Sequence, residues 1–205
     1  MFKYQLKIIN RPSLWLALVI GLGLPFFVPF KYLDAREMIH QSEKYLVFMG
    51  MIFLPDLMSP EVHNHLGDMV YQVGQRHSKS LLIRSGLAYL LLGLFTLSIY
   101  TYAWAMGSEV NLKIFTASLI TTFFIGLLGL TLASLTNLAT GYLITFSYYV
   151  IDLMTKGKYM GGLTLFAYNQ EGFEGKLYLA LASLAMLTFL AIYYRIIGSL
   201  RATEV

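Results

Sequence analysis

The chain has 205 residues, of which 57% are hydrophobic and only 13% are charged, and its formal net charge is +4. This composition excludes an ordinary soluble domain. The chain has no cysteine, which excludes disulfides, thiolate metal sites and a cysteine nucleophile, and its small basic excess fits residues beside lipid headgroups rather than a nucleic-acid-binding surface.

Long apolar runs recur along the whole chain. Their residues are continuously apolar, whereas the strands of a membrane barrel would alternate, so we predict an all-α, polytopic membrane protein with about six transmembrane helices. Six crossings leave few residues for a separate second domain, so we expect 1–205 to form a single transmembrane domain. The predicted spans are 14–30, 45–58, 81–106, 114–135, 138–154 and 177–194.

The first residues have the pattern of an interfacial helix. Apolar Phe2, Leu6 and Ile9 are interleaved with basic residues, as in helices that lie on a membrane surface. No small-x-small pattern follows Phe30, so we expect the first span to be retained rather than cleaved as a signal peptide.

Small residues fall on single faces of several predicted spans. Such residues let helix backbones approach closely. We interpret them as helix packing inside one subunit, and leave dimer contact and a substrate path open as alternatives. The residues are Ala17, Gly21, Gly86, Gly93, Gly126 and Gly129.

Residues 59–74, between the second and third predicted spans, have the pattern of a short amphipathic helix. Ser59 can cap it, Pro60 suits its first turn and Gly74 can end it. The segment is too polar to cross a membrane, so it is predicted to lie at the surface or to dock in a groove of a partner. Glu61 suits its first turn, and its apolar face consists of Val62, Leu66, Met69, Val70 and Val73.

The same region carries a family resemblance. The signature of the permeases of type 2 ABC transporters resembles a set of residues here: Glu61, Gly67, Met69 with Val70, Ser78 with Lys79, and Arg84 at the entry to the third span. The departures are Asp68 in place of the usual threonine, the absence of a proline before Ser78, and a slightly longer gap between Glu61 and Gly67. The resemblance implies a cytoplasmic coupling helix between spans 2 and 3 and a re-entrant external hairpin between spans 5 and 6, for which residues 160–168 are the candidates.

The resemblance also implies a function. Such a permease pairs with a second copy or a paralogue, and its coupling helix contacts a cytoplasmic ABC ATPase that binds ATP and Mg²⁺. This chain has no phosphate-binding loop, so we expect it to hold no cofactor and to be no enzyme itself. The expected role is export of a peptide, antibiotic, lipid or other amphipathic small molecule across a bacterial cytoplasmic membrane. The predicted ATPase contacts are Glu61, Val62, Leu66, Met69, Val70 and Val73.

Other classes of protein also fit the sequence. One is the substrate-binding membrane subunit of a vitamin or metal uptake transporter, which would dock its energy module through small residues such as Ala17 and Gly21. The other is a non-transporting immunity or scaffold protein. Lys and Arg residues divide almost evenly between the two sides, so charge alone does not orient the chain.

The polar residues of the sequence do not form a catalytic pattern. We predict no metal site, because the four histidines lie outside the spans and His63 and His65 point apart on a helix. Asp56, Arg84 and Asp152 lie near span ends and are interpreted as interfacial residues, with substrate contact by Asp152 as an alternative.

Overall fold

The computed structural model describes residue 10 and residues 12–28, 30–58, 77–168 and 172–202, and every structural statement below concerns these residues. Their regular secondary structure is entirely helical, which confirms the predicted all-α class for this part of the chain. The α-helices are α1 (Pro12–Phe27), α2 (Ala35–Tyr45), α3 (Val47–Phe53), α4 (His77–Ala105), α5 (Leu112–Leu135), α6 (Leu138–Thr155) and α7 (Gly175–Ala202), with short 3-10 helices at Pro55–Met58 and Gly161–Leu163.

Three of the described helices are long and apolar enough to cross a membrane. They are the segments Leu81–Ala105, Leu112–Leu135 and Gly175–Ile196. The helix Pro12–Phe27 is also apolar but shorter. These features are compatible with a membrane protein.

Side-chain caps fix where several helices begin. Asp34 accepts a hydrogen bond from the N–H of Glu37 at 2.7 Å and so starts α2. Asn111 accepts from Ile114 at 2.9 Å before α5, and Asn137 accepts from Thr140 at 2.8 Å before α6. Each cap satisfies one of the N–H groups that have no partner in the first turn of a helix.

Helical structure at the second predicted span, 45–58, begins earlier in the chain than the apolar run does. The chain is helical from Ala35, is interrupted at Leu46 and ends in the 3-10 turn Pro55–Met58. The apolar run located only the second half because α2 is amphipathic, with Met38, Ile39, Ser42 and Glu43 on its buried face.

Tyrosines from α6 compensate for the interruption at Leu46. The hydroxyl of Tyr149 donates to the main-chain oxygen of Lys44 at 2.8 Å, beside the break. The hydroxyl of Tyr142 donates to the main-chain oxygen of Ile52 at 3.0 Å, near the end of α3. Carbonyls at the ends of the two helix segments are thereby satisfied from outside the helix.

The helices pass back and forth between two ends of a bundle. At the Ser108 end, the N–H of Leu33 donates to Ser108 Oγ at 3.1 Å and the N–H of Glu109 donates to the oxygen of Leu33 at 2.9 Å. At the opposite, Asp56 end, Ser13 Oγ donates to Asp56 Oδ2 at 2.9 Å. The continuous pair α2 and α3 therefore runs opposite to α1 and α4.

The central helix is α5. In the most apolar stretch of each long helix, 67% of α5 is buried, against 33% of α4 and 22% of α7. Glycines bring its neighbours close: a Cβ placed on Gly50 of α3 would lie 2.1 Å from the main-chain oxygen of Thr122. A Cβ on Gly141 of α6 would lie 2.8 Å from the main-chain oxygen of Gly129. The core therefore depends on backbone contact at positions without side chains.

Candidate functional site

The predicted coupling residues Glu61, Val62, Leu66, Met69, Val70 and Val73 lie outside the described residues, as does the predicted amino-terminal helix at residues 2–9. The structure does describe both flanks of the coupling segment. They are the 3-10 turn Pro55–Met58 and the first turns of α4. Their geometry gives the positions of the two ends between which segment 59–76 runs.

A hydrogen bond joins these two flanks. Arg84 Nη1, on α4, donates to the main-chain oxygen of Leu57 at 3.3 Å. The Arg84 side chain is fully buried, whereas the sequence predicted an interfacial residue. A buried guanidinium needs hydrogen-bond partners, and one of them is a carbonyl of the 3-10 turn. The 3-10 turn before residues 59–76 and the first part of α4 after them are therefore fixed to each other.

The start of α1 lies at the same end. The contact between Ser13 and Asp56 joins the first turn of α1 to the 3-10 turn. At the end of α5, the hydroxyl of Tyr194 on α7 donates to Ser134 Oγ at 2.8 Å. The flanks of segment 59–76, the start of α1 and the last part of α7 thus share the Asp56 end.

The six small residues predicted for helix packing fall into two groups. Ala17, Gly21, Gly126 and Gly129 are buried within the bundle, and a Cβ on Gly21 would lie 2.6 Å from Met49 Cε. Gly86 and Gly93 on α4 instead face open space, because a Cβ at either position meets no described atom within 4 Å.

A buried charge cluster near the Ser108 end was not predicted from the sequence. Lys176 Nζ lies 2.5 Å from Glu43 Oε1, and both side chains are completely buried. The same ammonium donates to Thr121 Oγ1 at 2.7 Å and to the main-chain oxygen of Leu165 at 2.5 Å. Each of the three N–H groups of the ammonium therefore has an acceptor.

Asp152 is the second acid of this cluster. Its side chain is completely buried, unlike the interfacial residue that the sequence predicted. Oδ2 accepts the N–H of Leu165 at 2.7 Å, and Oδ1 accepts the hydroxyl of Thr164 at 3.0 Å. Both main-chain polar groups of Leu165 are thus held by buried charged side chains, one acidic and one basic.

This contact fixes the segment that was predicted to form the re-entrant hairpin. Residues 160–168 contain the 3-10 turn Gly161–Leu163 and further turns, and Leu165, Phe166 and Ala167 are buried. The sequence signal was indirect: Asp152 and Lys176 each lie beside the end of an apolar run, but nothing in their spacing indicates that they meet at Leu165.

Further hydroxyls extend the cluster towards α4. The hydroxyl of Tyr100 donates to Ser42 Oγ at 2.9 Å and lies 2.5 Å from Ser118 Oγ. Ser42 precedes Glu43 on α2, so these hydroxyls lie next to the Glu43–Lys176 pair.

An apolar cleft of about 360 Å³ lies between α4, α5 and α7. Its walls include Leu82 and Tyr89 on α4, Phe123 on α5 and Leu184 on α7. No charged side chain is among its lining residues. The cleft is therefore separate from the charge cluster and is mainly apolar, with the hydroxyl residues Ser85 and Ser183 as its polar lining.

Comparison of the chain with protein-family models, with curated proteins and with solved structures finds no match. In the part of the chain that the structure describes, no group of three or more histidine, aspartate or glutamate side chains is placed to hold a metal ion.

Proposed function

We propose that this chain is the transmembrane permease subunit of an ABC transporter, driven by a separate cytoplasmic ATPase. The observation that carries the proposal is the hydrogen bond between Arg84 and Leu57, which ties together the two flanks of segment 59–76. An amphipathic helix between flanks fixed in this way moves with the helices on both sides of it. Such a helix is suited to transmit a movement from a bound motor protein.

The direction of the helices supports six crossings of the membrane. The three long apolar helices are joined by α1, by the combined α2 and α3, and by α6, which run between the same two ends. Alternation puts the start of α1, segment 59–76 and the last part of α7 on one face of the membrane. We propose that this face is cytoplasmic, and that the membrane is a bacterial cytoplasmic membrane.

In the proposed mechanism this chain supplies the docking helix, and the ATPase supplies the energy. The apolar face formed by Val62, Leu66, Met69, Val70 and Val73 packs in a groove of the ATPase, and Glu61 lies at its rim. ATP and Mg²⁺ bind in the ATPase. Closure of the ATPase pushes on segment 59–76, and the bond between Arg84 and Leu57 passes that push to α3 and α4 as one unit.

The transported molecule is proposed from the apolar character of the chain. A peptide, an antibiotic, a lipid or another amphipathic small molecule would be exported along a path formed with a second copy or a paralogue. Such substrates partition into bilayers and need apolar surfaces rather than an ion-selective pore.

The uptake alternative finds less support. A substrate-binding uptake subunit would need Ala17 and Gly21 on an outward face, where a second protein could pack against them. In the described structure Ala17 is completely buried, and Gly21 packs against Met49. A scaffold protein would differ from a permease in having no ATPase partner.

The decisive experiment changes the apolar face of segment 59–76. Val62→Asp with Leu66→Asp should abolish co-purification of an ATPase in mild detergent, measured by mass analysis, without loss of the chain from the membrane. A matched control, His65→Asp with Gln72→Asp, adds the same charge to the polar face and should leave the ATPase bound. Undiminished ATPase recovery from both variants would remove the coupling assignment, and no ATPase recovered with the unaltered chain would favour a scaffold.

A further inference from the structure

The buried cluster of Glu43, Asp152 and Lys176 holds an excess of negative charge. It contains two carboxylates and one ammonium, and none of the three side chains has measurable exposure. An uncompensated charge inside a protein is costly because the surroundings cannot solvate it as water does. The cluster is therefore expected to bind one further positive charge.

The hydrogen bonds indicate which group takes it up. Asp152 is already satisfied by the N–H of Leu165 and the hydroxyl of Thr164. Glu43 is different: Oε1 contacts Lys176, whereas Oε2 is buried and makes no hydrogen bond of normal geometry with the described residues, although the main chain of Tyr168 also favours the charged carboxylate. An unpartnered buried carboxylate oxygen is the position where an added proton relieves the greatest cost.

We propose that this cluster is a proton-binding site, and that Glu43 takes up one proton from solvent. The carboxylate of Glu43 becomes a carboxylic acid, Lys176 keeps its three protons, and Asp152 then balances the charge of Lys176 across Leu165. The cluster becomes neutral in this step. The Glu43–Lys176 ion pair is replaced by a hydrogen bond of Lys176 to an uncharged acid.

Every neighbouring element contributes to the surroundings of Glu43. The titratable and charged groups around it are Lys176 on α7, Asp152 on α6, Tyr100 on α4 and Tyr168 between α6 and α7. On α2 itself, His40 lies one turn earlier, and α5 contributes the hydroxyls of Ser118 and Thr121. The nearest cation is therefore Lys176, whose three donors are already used.

Proton binding has a mechanical consequence at the Ser108 end. The Glu43–Lys176 pair joins α2 to α7, and Lys176 also holds Leu165. Weakening that pair loosens α2 from α7 while Asp152 still holds the N–H of Leu165. The site therefore links the proton concentration on that side to the packing of α2, independently of any ATPase.

Infrared spectroscopy of the purified full-length chain in mild detergent tests this directly. Spectra recorded between about pH 5 and about pH 8 should contain the C=O band of a protonated carboxyl group, sensitive to D₂O, that disappears as the pH rises. Glu43→Gln should lose this band. Glu37→Gln, a change at an exposed position of the same helix, should retain it. A band that persists in Glu43→Gln, or no band in the unaltered chain, would overturn the proposal.

A second variant keeps the test valid if Glu43→Gln fails to fold. Asp152→Asn removes the excess negative charge but leaves Glu43 and Lys176 in place. The midpoint of the Glu43 band should then move down by about one pH unit or more. An unchanged midpoint would mean that the excess charge does not control the site. Neither measurement needs an ATPase or a transported molecule, so its failure is distinct from a failure of the proposed transport function.

Discussion

Arg84 on α4 donates a hydrogen bond to the main-chain oxygen of Leu57 across 3.3 Å, and the two residues stand on opposite flanks of segment 59–76. The bond lies in the interior, where water cannot replace either partner. A buried carbonyl that loses its donor keeps the full cost of its desolvation. The relationship can therefore be tested by changing the arginine alone.

Replacing Arg84 by methionine removes the donor and the charge but retains most of the volume. We expect Arg84→Met to lower the free energy of unfolding by about 1–3 kcal/mol, because the Leu57 carbonyl is left unpaired. Thermal unfolding in detergent measures the change. Arg36→Met, at an exposed position of α2, should have almost no effect, and equal losses in both variants would contradict the assigned role.

The glycine contacts predict opposite effects at two positions. Gly50→Ala should destabilise the chain by about 3 kcal/mol, the upper end for overpacking, since the new Cβ meets the main chain of Thr122. Gly86→Ala meets nothing and should be neutral or stabilising by about 0.5–1 kcal/mol, because alanine favours a helix over glycine. Unfolding midpoints of the two variants compare these contacts directly.

The ion pair predicts a non-additive mutant cycle. Lys176→Met leaves Glu43 buried without its cation and should destabilise the chain by about 3–5 kcal/mol. Adding Glu43→Gln should recover part of that loss, since the uncompensated charge is removed. A double variant whose loss equals the sum of the single losses would show that the two groups do not interact.

The proposed proton site predicts a pH dependence of stability. A proton that the folded chain binds more tightly than the unfolded chain stabilises the fold, so the free energy of unfolding should be higher at low pH. It should fall as the pH rises through the midpoint of the Glu43 carboxyl band. Denaturant unfolding of the unaltered chain and of Glu43→Gln isolates the effect, and parallel curves would exclude it.

The positions of the long helices could be predicted because continuous apolar runs mark them. The predicted span 114–135 differs from α5, Leu112–Leu135, by only two residues at its start. The missing start of the second element has a physical reason. The sequence of α2 is polar enough to be interpreted as a loop, and its helical state depends on the cap at Asp34 and on burial of one face.

The buried charges could not be predicted, because each one is unremarkable in its local sequence. Glu43 follows a polar stretch and Lys176 precedes an apolar run, so both fit an interfacial residue. Their meeting depends on how α2, α5 and α7 pack together. Helix periodicity gives the face of a helix but not the neighbour that the face meets.

Two tyrosine hydroxyls from α6 satisfy Lys44 and Ile52, on either side of the interruption at Leu46. These two main-chain oxygens already have hydrogen-bond donors, so no unpaired carbonyl there favours a change of conformation. Both α2 and α3 are therefore tied to α6 close to their junction, and the three should move together. Tyr149→Phe would free the Lys44 carbonyl and loosen this tie on the α2 side.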